Sequence, residues 1–230
     1  MKIKLAAAIL IDVVVFATIS LAQQSSPVAD PEAVRILDRA AQAEGGDDVL
    51  GALRTLRLTG STYAGSYRAS DFDSIIKFPD KFRDSFLSTG GRTVRYGFDG
   101  TEAWKQLAGA TSSGLPSLQL LLPAAQWRLR YSEAKFLGQR EIGNRRAYLI
   151  RALVHGQTLS ADYYYDPDTY LLLQVDSGSE RLPIIYRVSH FQVFDGLKVP
   201  REWSSGENRT AVVSIKLNVE IDDKQFAKPK

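Results

Sequence analysis

From Leu56 onward the chain keeps one rhythm: apolar and polar residues alternate, and the alternating runs are cut by tight-turn signals. Alternation of period two sends successive side chains to opposite faces, so each run reads as a half-buried β-strand. Phe72, Ser74, Ile76 and Phe78 share one face of a run that turns at Pro79-Asp80. Phe82, Asp84 and Phe86 follow, then Gly90-Gly91, and Val94, Tyr96 and Phe98 alternate with Thr93, Arg95 and Gly97. Asp99-Gly100 predicts a type I′ hairpin, whose two central residues both need positive φ, and Trp104 and Gln106 begin the return strand. Later runs cover 136–142, 147–153, 159–165, 170–175, 184–194, 197–203 and 211–219. Gly143-Asn144 and Asp195-Gly196 are hairpin turns, and in Asp166-Pro167-Asp168-Thr169 the proline sets φ while the aspartate bonds its own backbone. About eleven antiparallel strands with one wet and one buried face form a meander.

Two stretches depart from this rhythm. Asp30 as N-cap and Pro31 at the first helical position start a helix over 31–44. Val34, Leu37 and Ala41 recur on one face with Ala33, Ala40 and Ala43 beside them, and Gly45-Gly46 stops it. Asp47 then caps a short second turn carrying Val49, Leu50 and Leu53. In the middle, 109–114 is a small polar loop, and Leu118, Leu121, Leu122, Ala125 and Leu129 fall at helical spacing, with Pro123 kinking the segment or opening a second helix. So few helical residues cannot cover a parallel sheet; a strongly curved antiparallel sheet with helices in its hollow accommodates them.

The first residues read as a targeting segment: Lys2 and Lys4, an apolar stretch over 5–19, then the small-x-small site Ser20-Leu21-Ala22. The expected organisation is a signal peptide at 1–22, a polar linker at 23–29 and one domain over 30–230. The rival reading, a membrane anchor, is disfavoured by the short stretch and by Asp12 within it. With no cysteine there is neither a disulfide nor a lipid-modified N-terminus, and an exported chain of this kind suits the bacterial periplasm or exterior. The net charge of +3 is spread over both signs without a basic block, so nothing points to nucleic acid.

Catalytic chemistry finds little to work with. The two histidines, His155 and His190, lack the spacing of a metal pair, and no G-x-S-x-G elbow accompanies them. Asp166 and Asp168 read either as a turn or as calcium ligands, and Asp222-Asp223 as a solvated turn. No cofactor and no metal site is expected, and the chain reads as a non-enzyme. The aromatic load is the informative feature. By alternation, Tyr148, Ile150, Tyr163, Tyr165, Leu171, Leu173, Tyr186, Val188, Trp203, Val213 and Ile215 share the apolar face, and Leu118, Leu121 and Leu122 should pack on it near Trp104 and Tyr163. That face is either a filled core beneath the helices or a partly empty hollow for an apolar ligand, with tyrosine hydroxyls at its mouth.

Six stretches, in this order and spacing, resemble the LolA-like outer-membrane lipoprotein-sorting proteins, which include LolB and RseB as relatives in fold. They are Lys77-Phe78-Pro79-Asp80-Lys81-Phe82-Arg83, Gly97-Phe98-Asp99-Gly100-Thr101-Glu102-Ala103-Trp104, Ile142-Gly143-Asn144-Arg145-Arg146-Ala147-Tyr148, Tyr165-Asp166-Pro167-Asp168-Thr169-Tyr170-Leu171, Phe194-Asp195-Gly196-Leu197-Lys198-Val199-Pro200 and Ile221-Asp222-Asp223-Lys224-Gln225-Phe226. The resemblance covers residues 40–230. It implies a mainly β fold with helices: an unclosed antiparallel β-barrel whose concave face is lidded by helices, here 115–130 and 31–44. It further implies a periplasmic carrier or binding protein for lipid, for lipoprotein acyl chains or for another apolar ligand, in transient contact with membrane components. The alternative it offers is an envelope-stress module that binds a protein partner and transports nothing.

Overall fold

The computed structural model describes residues 27–107, 110–112, 121–155, 160–179 and 182–229. The signal-peptide and linker assignments for 1–26, and the expected lid residue Leu118, lie outside the described residues. Among the described residues, fourteen strands form a single sheet in the order β1-β8-β9-β10-β11-β12-β13-β14-β2-β3-β4-β5-β6-β7. The long strands are β2 (Thr55–Ala64), β3 (Tyr67–Lys77), β4 (Lys81–Ser88), β5 (Thr93–Phe98) and β6 (Ala103–Leu107), then β8 (Tyr131–Ile142), β9 (Arg145–Val154), β10 (Ala161–Tyr165), β11 (Leu172–Ser179), β12 (Leu182–Phe194), β13 (Leu197–Ser205) and β14 (Asn208–Leu217). The two strands at the sheet's ends, β1 (Val28–Ala29) and β7 (Ala110–Ser112), are too short to leave a period-two signal; the sequence assigned them to a linker and a loop. Because β14 pairs with β2, the C-terminal hairpins continue the N-terminal ones as one open, curved sheet. All pairs are antiparallel except β1 with β8.

Helix α1 (Pro31–Glu44) has the expected bounds: Asp30 accepts the Ala33 N–H at 2.7 Å, and Gly45, at φ 154°, ends it. Its inward face carries Ala33, Ile36, Leu37, Ala40, Ala41 and, one turn further, Glu44. Helix α2 (Gly46–Ala52) follows directly and buries Leu50. Among the described residues of the other expected lid segment, 115–130, the only regular helix is α3 (Trp127–Arg130). Gln126 sits in the left-handed region at φ 51°, which breaks helical continuation, and its amide instead donates to the carbonyls of Leu50 and Leu53 at 3.1 and 2.8 Å. The segment before α3 is thereby tied to α2. Among the described residues, no helix is long and apolar enough to cross a membrane.

The turns follow the expected chemistry with one exception. Asp195 and Gly196 both have positive φ, as a type I′ turn requires, whereas at Asp99-Gly100 only the glycine does. Asp99 instead accepts the backbone N–H groups of Thr101 and Glu102, each at 2.8 Å, making a longer loop. Asp166 likewise accepts from Asp168 and Thr169, at 3.0 and 2.9 Å, and pairs with Arg145, which uses the carboxylate as a turn brace.

Two faces emerge from the register. The concave face carries Leu56, Leu58, Phe72, Ile76, Phe82 and Phe98 on β2–β5, and Tyr131, Ala134, Ile150, Tyr163, Tyr165, Leu172 and Val175 on β8–β11; together with α1 and 121–127 they form one buried core. The outer face is covered in one place by the C-terminal segment. Phe226 is fully buried there, and Asp223 bonds Lys77 and Lys81 at 2.5 and 3.0 Å.

Candidate functional site

The helices fill only part of the hollow. They occupy the end where β2 and β4 begin. At the opposite end, near the β2–β3, β4–β5 and β13–β14 turns, a cavity of about 610 Å³ remains. Its walls are Phe86, Val94, Tyr96, Tyr186, Trp203 and Leu121, with Thr62, Ala69 and Thr210 between them. Its rim, at the strand turns, is polar: Ser70, Ser88, Arg92, Ser205 and Asn208. Paired register puts these residues together, since Thr62 stands opposite Ser70 and Thr210, Trp203 opposite Thr210, and Phe86 opposite Val94.

Aromatic rings build the wall between cavity and core. Phe72 lies 5.9 Å from Trp203 and 6.3 Å from Phe86, and Phe86 meets Tyr96 edge-on at 6.2 Å, distances at which offset aromatic pairs attract. The Phe72 ring is able to lie over β2 because Gly60 faces it: a Cβ there would stand 2.6 Å from the ring and 2.1 Å from the Ala211 carbonyl.

Of the residues singled out from sequence, Leu121, Tyr186 and Trp203 line this cavity. Tyr148, Ile150, Tyr163, Tyr165 and Leu122 belong to the filled part of the hollow, and Val188 and Ile215 pack against its edge. The apolar face is therefore filled at one end of the sheet and borders a cavity at the other. Tyr163 and Tyr165 are fully buried rather than at the mouth, and burial holds the Tyr165 hydroxyl well above the usual phenol range.

Four placements differ from expectation. Trp104 pairs opposite Gly97 on the outer face, its ring over that glycine, where a Cβ would come within 2.3 Å. Its indole donates to the Phe226 carbonyl at 2.8 Å, so it anchors the C-terminal segment. On β11 an irregularity beside Tyr165 shifts the phase, so Leu172 points inward while Leu171 and Leu173 are half-buried. On β14 a bulge between Val212 and Ser214 turns Val212 inward and leaves Val213 72% exposed.

Beside the cavity, the core holds two charged residues that sequence reasoning passed over. Arg130 is fully buried and donates to the carbonyls of Leu122 and Ala125, pinning the segment that bears Leu121. Tyr131 donates to the Pro123 carbonyl of the same segment at 2.9 Å. Glu44, at the end of α1, is 1% exposed; burial pushes its carboxyl up to about 8, against the pull of Arg130 and of the Ala124 N–H. The signal for Glu44 was present in α1, whose buried positions 33, 37 and 41 extend by one more turn to 44.

No protein-family model matches the sequence, and no curated protein does. Solved structures resemble the fold. A LolA superfamily protein from Nitrosomonas europaea superposes with a TM-score of 0.56 at 13% identity, over 85% of this chain and 97% of that one. A DUF1329 family protein from Desulfovibrio piger superposes at 0.54 with 12% identity, over 85% and 97%. The chain has the LolA-like fold, an open antiparallel half-barrel with helices on its concave side.

Proposed function

We propose that this LolA-like fold serves here as a non-catalytic, exported envelope protein that binds or carries a lipid or another apolar ligand. The observation that carries the reading is the cavity of about 610 Å³, which the helices leave open and aromatic side chains wall. Its volume falls in the range of about 300–1,000 Å³ typical of small-molecule sites. Transfer of an alkyl chain into it is favourable by about 0.8 kcal/mol for each buried CH₂. Release would follow movement of the segment that carries Leu121, or contact with a receptor whose own cavity binds better.

Leu121 is 5% exposed and stands in the cavity wall. Leu121→Glu introduces a carboxylate where an alkyl chain would lie, and such a group is unfavourable there without a partner. In the wild type, displacement of an apolar fluorescent dye by a C12 amphiphile should be saturable. In the variant it should weaken by about tenfold or more, while the circular dichroism spectrum keeps its strand signal. A wild type that binds neither dye nor amphiphile, with native mass spectrometry finding no bound lipid after mild purification, would sink the carrier reading.

A further inference from the structure

The outer face of the sheet gathers positive charge where β2, β3, β4 and β5 lie side by side. Alternation puts Leu56 and Leu58 in the hollow, so Arg57 faces outward from β2. By the same rule Asp73 faces outward from β3, Arg83 from β4 and Arg95 from β5. Arg57 bonds both oxygens of Asp73, at 2.8 and 3.3 Å, and Arg83 bonds the second of them at 3.1 Å. Two guanidiniums therefore converge on one carboxylate. Arg95 stands one strand beyond Arg83 and donates to the neutral amide of Gln106 at 3.2 Å.

Among the described residues, Asp73 is the only carboxylate bonded to any of these three arginines. Three positive charges thus face one negative, an excess of two. The neighbours do not correct it. Lys216 stands opposite Arg57 on β14, and Lys77 and Lys81 share the single carboxylate of Asp223. Arg83 lies at the centre: its side chain is 20% exposed, and its buried Nε has no hydrogen-bond partner among the described residues. Burial holds its guanidinium below the usual arginine range; the like charges of Arg95 and Arg57 add to this, and Asp73 opposes it. An arginine does not shed its proton near neutral pH, so such an excess is relieved by an anion from outside.

The donors define that anion. Guanidinium forks match the oxygens of phosphate, and a doubly charged group cancels an excess of two where a single charge does not. A phosphate monoester carries about −1.5 to −2 charges near neutral pH. Solvent screens each pair on an open sheet face, so the three cations must act together. We infer that Arg57, Arg83 and Arg95 form a binding site for a phosphate monoester on the outer face, separate from the cavity on the concave face.

Methyl phosphate and dimethyl phosphate differ by about one charge near pH 7.5. Calorimetric titration of each into the intact protein, at constant ionic strength, tests the site. Methyl phosphate should bind saturably with a Kd below about 1 mM, and dimethyl phosphate about tenfold or more weakly. Arg95 is exposed and holds no carboxylate, so its replacement should leave the fold intact. Arg95→Gln should weaken methyl phosphate by about fivefold or more, and Arg95→Lys, which keeps the charge, should lose less. Uptake of an apolar dye by the concave cavity should be the same in both variants. A wild-type Kd above about 1 mM, or equal binding of the two probes, overturns the inference. So does unchanged affinity in a folded Arg95→Gln protein. If that variant fails to fold, the two probes on the wild type decide alone. Vesicles then distinguish the source of the phosphate. Retention on phosphatidylcholine vesicles only when they contain phosphatidic acid, with release by methyl phosphate, assigns a lipid headgroup. Binding of methyl phosphate without such retention assigns a soluble ester; either result upholds the site.

Discussion

Arg130→Met should lower folding stability by about 2–6 kcal/mol near pH 8, because two buried carbonyls each lose a donor at about 1–3 kcal/mol. Arg130 is fully buried at the junction of α3 and β8, and its guanidinium bonds the Leu122 and Ala125 carbonyls. It also offsets the charge of Glu44 across the core. Methionine keeps most of the stem's apolar contact but supplies neither donor nor charge. Two carbonyls then lose a partner, and without the guanidinium the Glu44 carboxyl is held still more firmly in its protonated form. Pairing the change with Glu44→Gln should recover part of the loss, because glutamine is buried neutral without the cost of keeping a carboxyl protonated at that pH. Urea melts of the two single variants and the double variant give the coupling. A loss under about 1 kcal/mol for Arg130→Met would mean that Glu44 and the 121–126 segment do not depend on the guanidinium.

The second large effect is a pH dependence. Glu44 is buried and its carboxyl is pushed up to about 8, above the 4.5 usual for a glutamate. The folded state therefore binds more protons than the unfolded state between those two values, and stability falls as pH rises through that window. Below about 4.5 both states carry the protonated acid, so this contribution is fully present; above about 8 both are ionised and the loss is complete. The groups facing Glu44 are Arg130 and the Ala124 N–H, which favour its charge, and the buried Tyr165, which stays protonated throughout. At about 1.4 kcal/mol per pH unit of displacement the total is on the order of a few kcal/mol. Glu44→Gln should be as stable as the wild type near pH 4.5 and clearly more stable at pH 8, with a flatter profile between. Parallel thermal melts across that range check it; equal slopes for the two proteins would show that Glu44 does not titrate in the core.

Local signals in the sequence carried far because strands and caps are local events. Asp30-Pro31 and Gly45 bound α1 wherever the chain goes, and alternation identified the strands because its period belongs to the pleat. The expectations failed where a neighbouring strand intervenes. A bulge arises from a mismatch between two strands, so the outward turn of Val213 and the phase of β11 are invisible in either strand alone. Trp104 shows the limit in another form: alternation sorts residues into two faces without saying which is concave, and only the distant Phe226 makes the outer position a buried one. For the site, Tyr186, Trp203 and Leu121 were legible as apolar positions. Where the hollow empties was not, because it depends on how 121–130 is tied across the sheet by the distant contacts of Gln126 and by Arg130. Asp84 alternated with two phenylalanines from the outset, but its place in the cavity wall shows only in the folded sheet.

On the proposed function, an apolar ligand enters the hollow at the end lined by Phe86, Leu121 and Trp203. Photo-crosslinking with a diazirine-bearing dodecyl alcohol, followed by peptide mapping, tests it most directly. Peptides that carry Phe86, Val94, Leu121 or Trp203 should be labelled saturably, and excess unlabelled alcohol should suppress the labelling. Labelling concentrated instead at the exposed side chains of Val193 and Val213, or spread without saturation, would contradict it.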